Sequence, residues 1–211
     1  MSRVLVVTPH PDDEAIGCGG ALCAHAETGD SLRLICLTSG EQGGHGLPPG
    51  ETASRREAEA AAAARILGAG APEFWRQPDG GLRVTRALVA RLRELIADWR
   101  PELLYVTHDR EMHPDHRAAA RLVRRTLREL PAATRVPAVR LFEVWTPLQH
   151  MDEIVDISAH IERKLAAIRA YEHQCRVMRF DEATRGLNRY RGEMHSWPGG
   201  EYAEVFASLR P

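Results

Sequence analysis

The feature that most constrains this chain is a strand–helix–strand order at its start. Val4-Leu5-Val6-Val7 is an unbroken apolar run rich in β-branched residues and closed by Pro9, which reads as a short buried strand. An Ala- and Leu-rich helix is expected from about Glu14 to Glu27, with Gly29 as its stop, and a second buried strand from Leu32 to Leu37. This order is the unit that builds a parallel sheet. The alternation continues. An alanine-rich helix capped by Thr52 or Ser54 runs to Leu67 and ends at Gly68, and Glu73 to Trp75 is a short strand. Leu88, Leu92, Leu95, Ile96 and Trp99 keep helical spacing ahead of Pro101, Leu103 to Val106 is a strand, and Ala119 to Leu130 is an amphipathic helix. Val139 to Trp145 reads as a strand and Ile157 to Ile168 as a late helix, while Phe180 to Gly200 reads as irregular. The expected fold is α/β, a Rossmann-like, mostly parallel sheet flanked by helices. Residues 1–211 show no repeat or boundary and are expected to form a single domain.

Ligands of such sheets bind beyond the carboxyl ends of the strands, and two motifs fall there. The first is Pro9-His10-Pro11-Asp12-Asp13-Glu14, directly after the first strand. His10 and Asp13 are three apart, so both can turn inward on a tight turn while Asp12 points elsewhere. Imidazole nitrogen with carboxylate oxygen suits zinc, with iron(II) or another divalent metal as the second choice. The second is His113-Pro114-Asp115-His116, opening a helix after the Leu103–Val106 strand. One of its histidines can complete a three-ligand site, the arrangement of catalytic rather than structural zinc. A lone Asp-Asp or His-Pro would be a cap or a turn; two such motifs on the same side of one sheet argue for a metal centre.

Other partners are excluded by simpler means. Lys plus Arg number 28 and Asp plus Glu 29, so no basic excess invites nucleic acid. Gly17-Cys18-Gly19-Gly20 lacks the spacing of a dinucleotide fingerprint and reads as close helix–sheet packing. The first apolar run is too short for a signal core or a membrane span, and Cys18, Cys23, Cys36 and Cys175 form no C-x-x-C pair; a cytoplasmic location is expected. The loop Ser39 to Gly50, dense in glycine and proline, is expected to be mobile and to frame the pocket with the Arg-rich stretch Arg185 to Arg191, which includes Arg189. His108 is expected near the site because it shares a loop with His113.

Together the two motifs resemble the PIG-L/LmbE-like family of N-acetylglucosaminyl deacetylases. The likeness extends to Arg56-x-x-Glu59, Pro78-Asp79-Gly80, Tyr171-Glu-His-Gln174, Arg191-Gly192 and Tyr202-Ala-Glu-x-Phe206, so it covers nearly the whole chain. It implies that His10, Asp13 and His116 are the metal ligands, Asp12 the general base, and His113 the acid or oxyanion stabiliser, held and kept charged by Asp115. Arg56, Asp79 and Arg189 are expected to meet substrate, Arg56 at least the surroundings of the metal. Some relatives carry a tyrosine ahead of the second motif, where this chain has Asp109-Arg110-Glu111-Met112. The implied activity is zinc-dependent removal of an acetyl group from a small N-acetylated amino sugar or its conjugate. The alternatives are an amidase or esterase of a non-sugar acyl substrate and a non-catalytic binding relative. Relatives are often oligomeric, which makes a homo-oligomer an open expectation with no interface marked in the sequence.

Overall fold

The computed structural model describes residues 1–195 and 199–209. In chain order the elements are β1 (Arg3–Thr8), α1 (Asp13–Glu27), β2 (Ser31–Cys36), α2 (Pro49–Leu67), β3 (Glu73–Phe74), α3 (Arg86–Trp99) and β4 (Leu103–Thr107). They continue with α4 (Pro114–Arg128), β5 (Ala138–Phe142), β6 (Glu153–Asp156), α5 (Ile161–Arg169), α6 (Glu172–Val177), α7 (Phe180–His195) and β7 (Ala203–Ser208). The strands form one sheet in the order β3-β2-β1-β4-β5-β7-β6. The first five are parallel, while β7 runs antiparallel to both β5 and β6.

The apolar run of β1 is continuous because both faces of the sheet are covered. Val4 and Val6 join a core with Leu34, Tyr105, α1 and α5. Leu5 and Val7 join another with Ile35, Leu104, Val106, α3 and α4. Helix α1 lies close on the sheet because Gly17 lacks a side chain: a Cβ there would sit 2.1 Å from the Phe142 ring. The glycine reading of the sequence is therefore met by packing. The expected stop after α1 is also present, with Gly29 at φ 80°, and Gly68 closes α2 in the left-handed conformation.

Four expectations are corrected. Neither Thr52 nor Ser54 caps α2, which starts at Pro49; their hydroxyls bond back to the carbonyls of Pro48 and Gly50 from inside the helix. The Val139 strand stops at Phe142, because the Val144, Trp145 and Thr146 N–H groups donate to the Glu111 carboxylate rather than to a neighbouring strand. The late helix starts at Ile161, and Ile157 lies in the turn before it. The stretch expected to be irregular contains α7, whose buried face is Asp181, Thr184, Asn188, Arg191 and Gly192. A helix that buries polar side chains shows no apolar stripe. Arg191 is satisfied there by a two-pronged contact with Glu143, at 3.1 and 2.7 Å.

Helix α1 meets a buried charge pair that the sequence does not announce. Its backbone breaks at Cys18 (φ −139°, ψ 15°), freeing the N–H groups of Gly20 and Ala21. Both donate to the Glu204 carboxylate of β7 at 2.8 Å. Lys164 of α5, the only lysine of the sequence, donates to the same carboxylate at 2.6 Å. Lys164 is 0% and Glu204 1% exposed. Removing one partner of such a pair leaves a buried charge uncompensated. Lys164→Met is therefore expected to lower unfolding stability by about 3–5 kcal/mol, read as a fall in the urea midpoint; an unchanged midpoint would contradict the pairing.

Candidate active site

The strand order reverses between β1 and β4, which pair in parallel from Val4↔Leu103 to Val7↔Val106. The chain therefore leaves both strands at one crevice, and the two motifs meet there. Asp13 Oδ2 lies 3.3 Å from His10 Nδ1 and Asp13 Oδ1 lies 3.3 Å from His116 Nε2. The rings of His10, His113 and His116 stand 4.8 to 5.3 Å apart. Among the described residues, His10, His113 and His116 bring one donor atom each within 4.8 Å of one another, and so do His10, Asp79 and Asp115. The residues singled out in the two motifs are thus brought together, with His10 common to both compact groups.

The donor chemistry fits a divalent cation. His116 is fully buried, yet neither ring nitrogen has a hydrogen-bond partner among the described residues. Buried polar atoms are nearly always satisfied, and an ion between His116, Asp13 and His10 would satisfy this one. Around His10 the balance is anionic: burial works against its charged form, but Asp115, Asp13 and Asp79 overcome it and hold the ring well above its ordinary range. Burial also pushes Asp13 upward, but His116 and His10 outweigh it and bring its carboxyl down to about 2. Behind His116 lies Glu111, fully buried, with Oε2 3.8 Å from Nδ1. A carboxylate on that side would orient the ring of a histidine that held a metal. The sequence signal for Glu111 was an acid inside the loop leading to the second motif.

Asp12 is held differently. It is a non-glycine residue at φ 115°, a conformation that persists only where its surroundings enforce it. Arg56, reaching in from α2, supplies that restraint. Its Nη2 donates to Asp12 Oδ2 at 2.8 Å and to the Pro11 carbonyl at 2.5 Å, and Nη1 donates to the Gly40 carbonyl at 3.1 Å. Gly40 allows this, since a Cβ there would lie 2.3 Å from the guanidinium. Burial nonetheless pushes the Asp12 carboxyl up to about 6, against the pull of Arg56.

The second motif is corrected in one role. The Asp115 carboxylate does not hold the His113 ring: it accepts from the Gly80 and Leu82 N–H groups at 2.8 and 3.0 Å and faces His10 Nε2 at 3.4 Å. What joins the pair is the Asp115 N–H, which donates to His113 Nδ1 at 3.2 Å, so that the His113 side chain caps α4. That bond assigns the His113 proton to Nε2. Burial, then His10 and His116, hold the ring below its ordinary range, contrary to the charged form expected for it.

Arg56, Asp79 and Gly80 line an open cleft above these residues, with Gln42, Gly43 and His45 from the loop after β2. Asp79 turns its carboxylate to His10 Nε2 at 3.0 Å and to the Gln42 N–H at 2.8 Å. Arg189 is corrected: it lies on the outer side of α7, paired with Glu201 and Glu193, and is absent from the cleft lining. Its neighbourhood contributes Met178 and Phe180 instead, with Trp145 and Gln174. His108 is turned away, bonded to the Thr146 carbonyl at 2.7 Å.

A family model described as PIG-L: GlcNAc-PI de-N-acetylase matches residues 5–127. The chain is 30% identical to 4-oxalmesaconate hydratase of Pseudomonas putida, over 82% of this chain and 74% of that protein. It is 30% identical to diacetylchitobiose deacetylase of Thermococcus kodakarensis, over 82% of this chain and 70% of that one. A solved structure of a conserved protein of Thermus thermophilus superposes with a TM-score of 0.86 at 34% identity, covering 100% of this chain and 96% of the other.

The Arg56–Asp12 contact makes its own prediction. Arg56→Met is expected to cost several kcal/mol, about 3–5 kcal/mol, by stranding a buried carboxylate; thermal unfolding reads it. Arg56→Met/Asp12→Asn together should recover much of that loss, and strictly additive losses would show that the two side chains do not act as a pair.

Proposed function

Because the chain belongs to the PIG-L (GlcNAc-PI de-N-acetylase) family, we propose that it is a divalent-metal, most simply zinc, N-deacetylase of an N-acetylated amino sugar or its conjugate. The whole chain acts in this reading as one catalytic unit. The observation that carries it is the convergence of His10, Asp13 and the otherwise unpartnered His116 beside Asp12, a carboxyl that burial pushes up to about 6. His10, Asp13 and His116 would hold the ion. When bound, the ion supplies Lewis acidity that lets water act as a nucleophile near neutral pH.

The chain's residues do the rest. Asp12 takes a proton from water as the oxygen attacks the acetyl carbonyl carbon, its carboxylate aimed by Arg56. A carboxyl whose pKa lies near the working pH both accepts and returns a proton readily. His113 stays neutral, with Nδ1 committed to the Asp115 N–H, and offers its Nε2–H to the developing oxyanion. The C–N bond then breaks, the proton on Asp12 passes to the departing nitrogen, and acetate and a free amine leave. Asp79 and Asp115 act through His10, fixing its ring and adding negative potential to the ion site. Among the described residues no helix is long and apolar enough to cross a membrane.

The Pseudomonas putida relative is named a hydratase, so addition of water to a carbon–carbon double bond is the second reading. It needs the same activated water and the same base, and acetate release separates the two. Asp12→Asn is expected to keep its metal and lose acetate release by about 10²–10⁴-fold; full activity in a clean preparation would defeat the base assignment. His116→Ala should instead lower the metal-to-protein ratio by elemental analysis, and normal stoichiometry would remove His116 from the ligand set.

A further inference from the structure

Beside the cleft lies a second hollow that the proposed chemistry leaves unused. It has room for about 150 Å³, and its wall is chiefly Ile16, Val144, Trp145, Phe180, Leu187 and Val205. Trp145, Met178 and Phe180 line both this hollow and the active-site cleft, so the two spaces adjoin. Trp145 and Phe180 meet edge to face at that boundary, with ring centroids 5.7 Å apart. Trp145 is 41% and Met178 42% exposed, which leaves apolar surface in water at the junction.

The two carboxylates around the hollow are engaged elsewhere. Glu143 holds Arg191, and Glu204 holds Lys164 and two backbone N–H groups of α1. Asn188 Nδ2 donates to the Ala203 carbonyl at 2.9 Å, whereas its buried Oδ1 has no partner among the described residues. A mostly apolar wall, with the Asn188 Oδ1 and the Thr184 hydroxyl as its open polar groups, suits an apolar group better than a set of sugar hydroxyls, most of which would lose their water there. Cavities near this size hold one benzene ring in other proteins.

Resting on the deacetylase reading, we propose that the substrate carries one aryl-sized apolar group on the amine side of its amide, and that this group fills the hollow beside Trp145 and Phe180. The amine side follows from the small acyl group: acetyl is consumed at the ion site, so a larger group belongs to what remains. The room matches a single ring or a short branched alkyl group.

The test uses zinc-loaded protein and two glycosides of N-acetylglucosamine, phenyl and methyl. The kcat/KM for acetate release is expected to favour the phenyl glycoside by about tenfold or more, the scale of burying one ring. Ala183→Phe or Leu187→Phe, each filling the hollow, should bring that ratio towards one. Calorimetric binding of phenyl and methyl glucosaminides reads the same preference without turnover. Equal values for the two glycosides in both assays would overturn the proposal, as would a phenyl preference untouched by both substitutions. Faster release of benzoate from N-benzoylglucosamine than of acetate from N-acetylglucosamine would put the ring on the acyl side and also overturn it. If neither glycoside releases acetate while the calorimetric preference persists and the substitutions abolish it, the hollow stands as a ring site and the deacetylase reading falls.

Discussion

The parallel pairing of β1 with β4 is the constraint on which the rest depends. These strands are far apart in sequence, and each is followed by a helix, one on either side of the sheet. Only at the point where the strand order turns do two such exits open into one crevice. Asp13 at the first turn of α1 and His116 at the first turn of α4 then come within ion-pair distance of each other, and His10 sits between them and the acidic loop at Asp79. The register of that one strand pair is enough to bring the two motifs together.

The site concentrates costs that the rest of the chain avoids. It holds a positive-φ aspartate, a fully buried imidazole without hydrogen bonds, and several carboxylates around one histidine. Each is unfavourable alone, and together they describe a cage that gains by admitting a cation. Arg56 is the counterweight on the other side. It pairs with Asp12 and fastens the turn to the loop at Gly40, so the Asp12 carboxylate is aimed by a group that itself is fixed by backbone carbonyls. The surrounding elements are recruited to the same end: His173 and Gln174 of α6 bond the Gly44 and Gly43 carbonyls, and the Tyr171 hydroxyl donates to Glu14.

The legible part of the molecule was the part written in apolar periodicity and in local motifs. β1, β2, β4 and α3 read directly from their buried side chains, and the meeting of the two motifs from their places just after β1 and β4. What could not be read was pairwise and long-range. α7 escaped because it buries Asp181, Asn188 and Arg191, which only a partner such as Glu143 makes tolerable. The short antiparallel strands β6 and β7 carry charges, and Glu204 is buried because Lys164 and a broken turn of α1 come to meet it. Asp115 was assigned to the neighbouring histidine in sequence, whereas folding offers it the Gly80 and Leu82 N–H groups and the ring of His10. Arg189 was drawn into the site by the company of other arginines, and a helix turned it outward.

The burial of Lys164 has a consequence beyond stability. All other basic side chains of the sequence are arginines or histidines, so the folded protein presents no ε-amine to its surroundings. Acylating labels and amine-reactive crosslinkers find no lysine on its surface. A protease that cuts after lysine has a single target, inside the core and salt-bridged to β7, and reaches it only when the sheet and α5 come apart. Cleavage at that one bond is therefore a natural clock for global opening of the molecule, insensitive to the breathing of its loops.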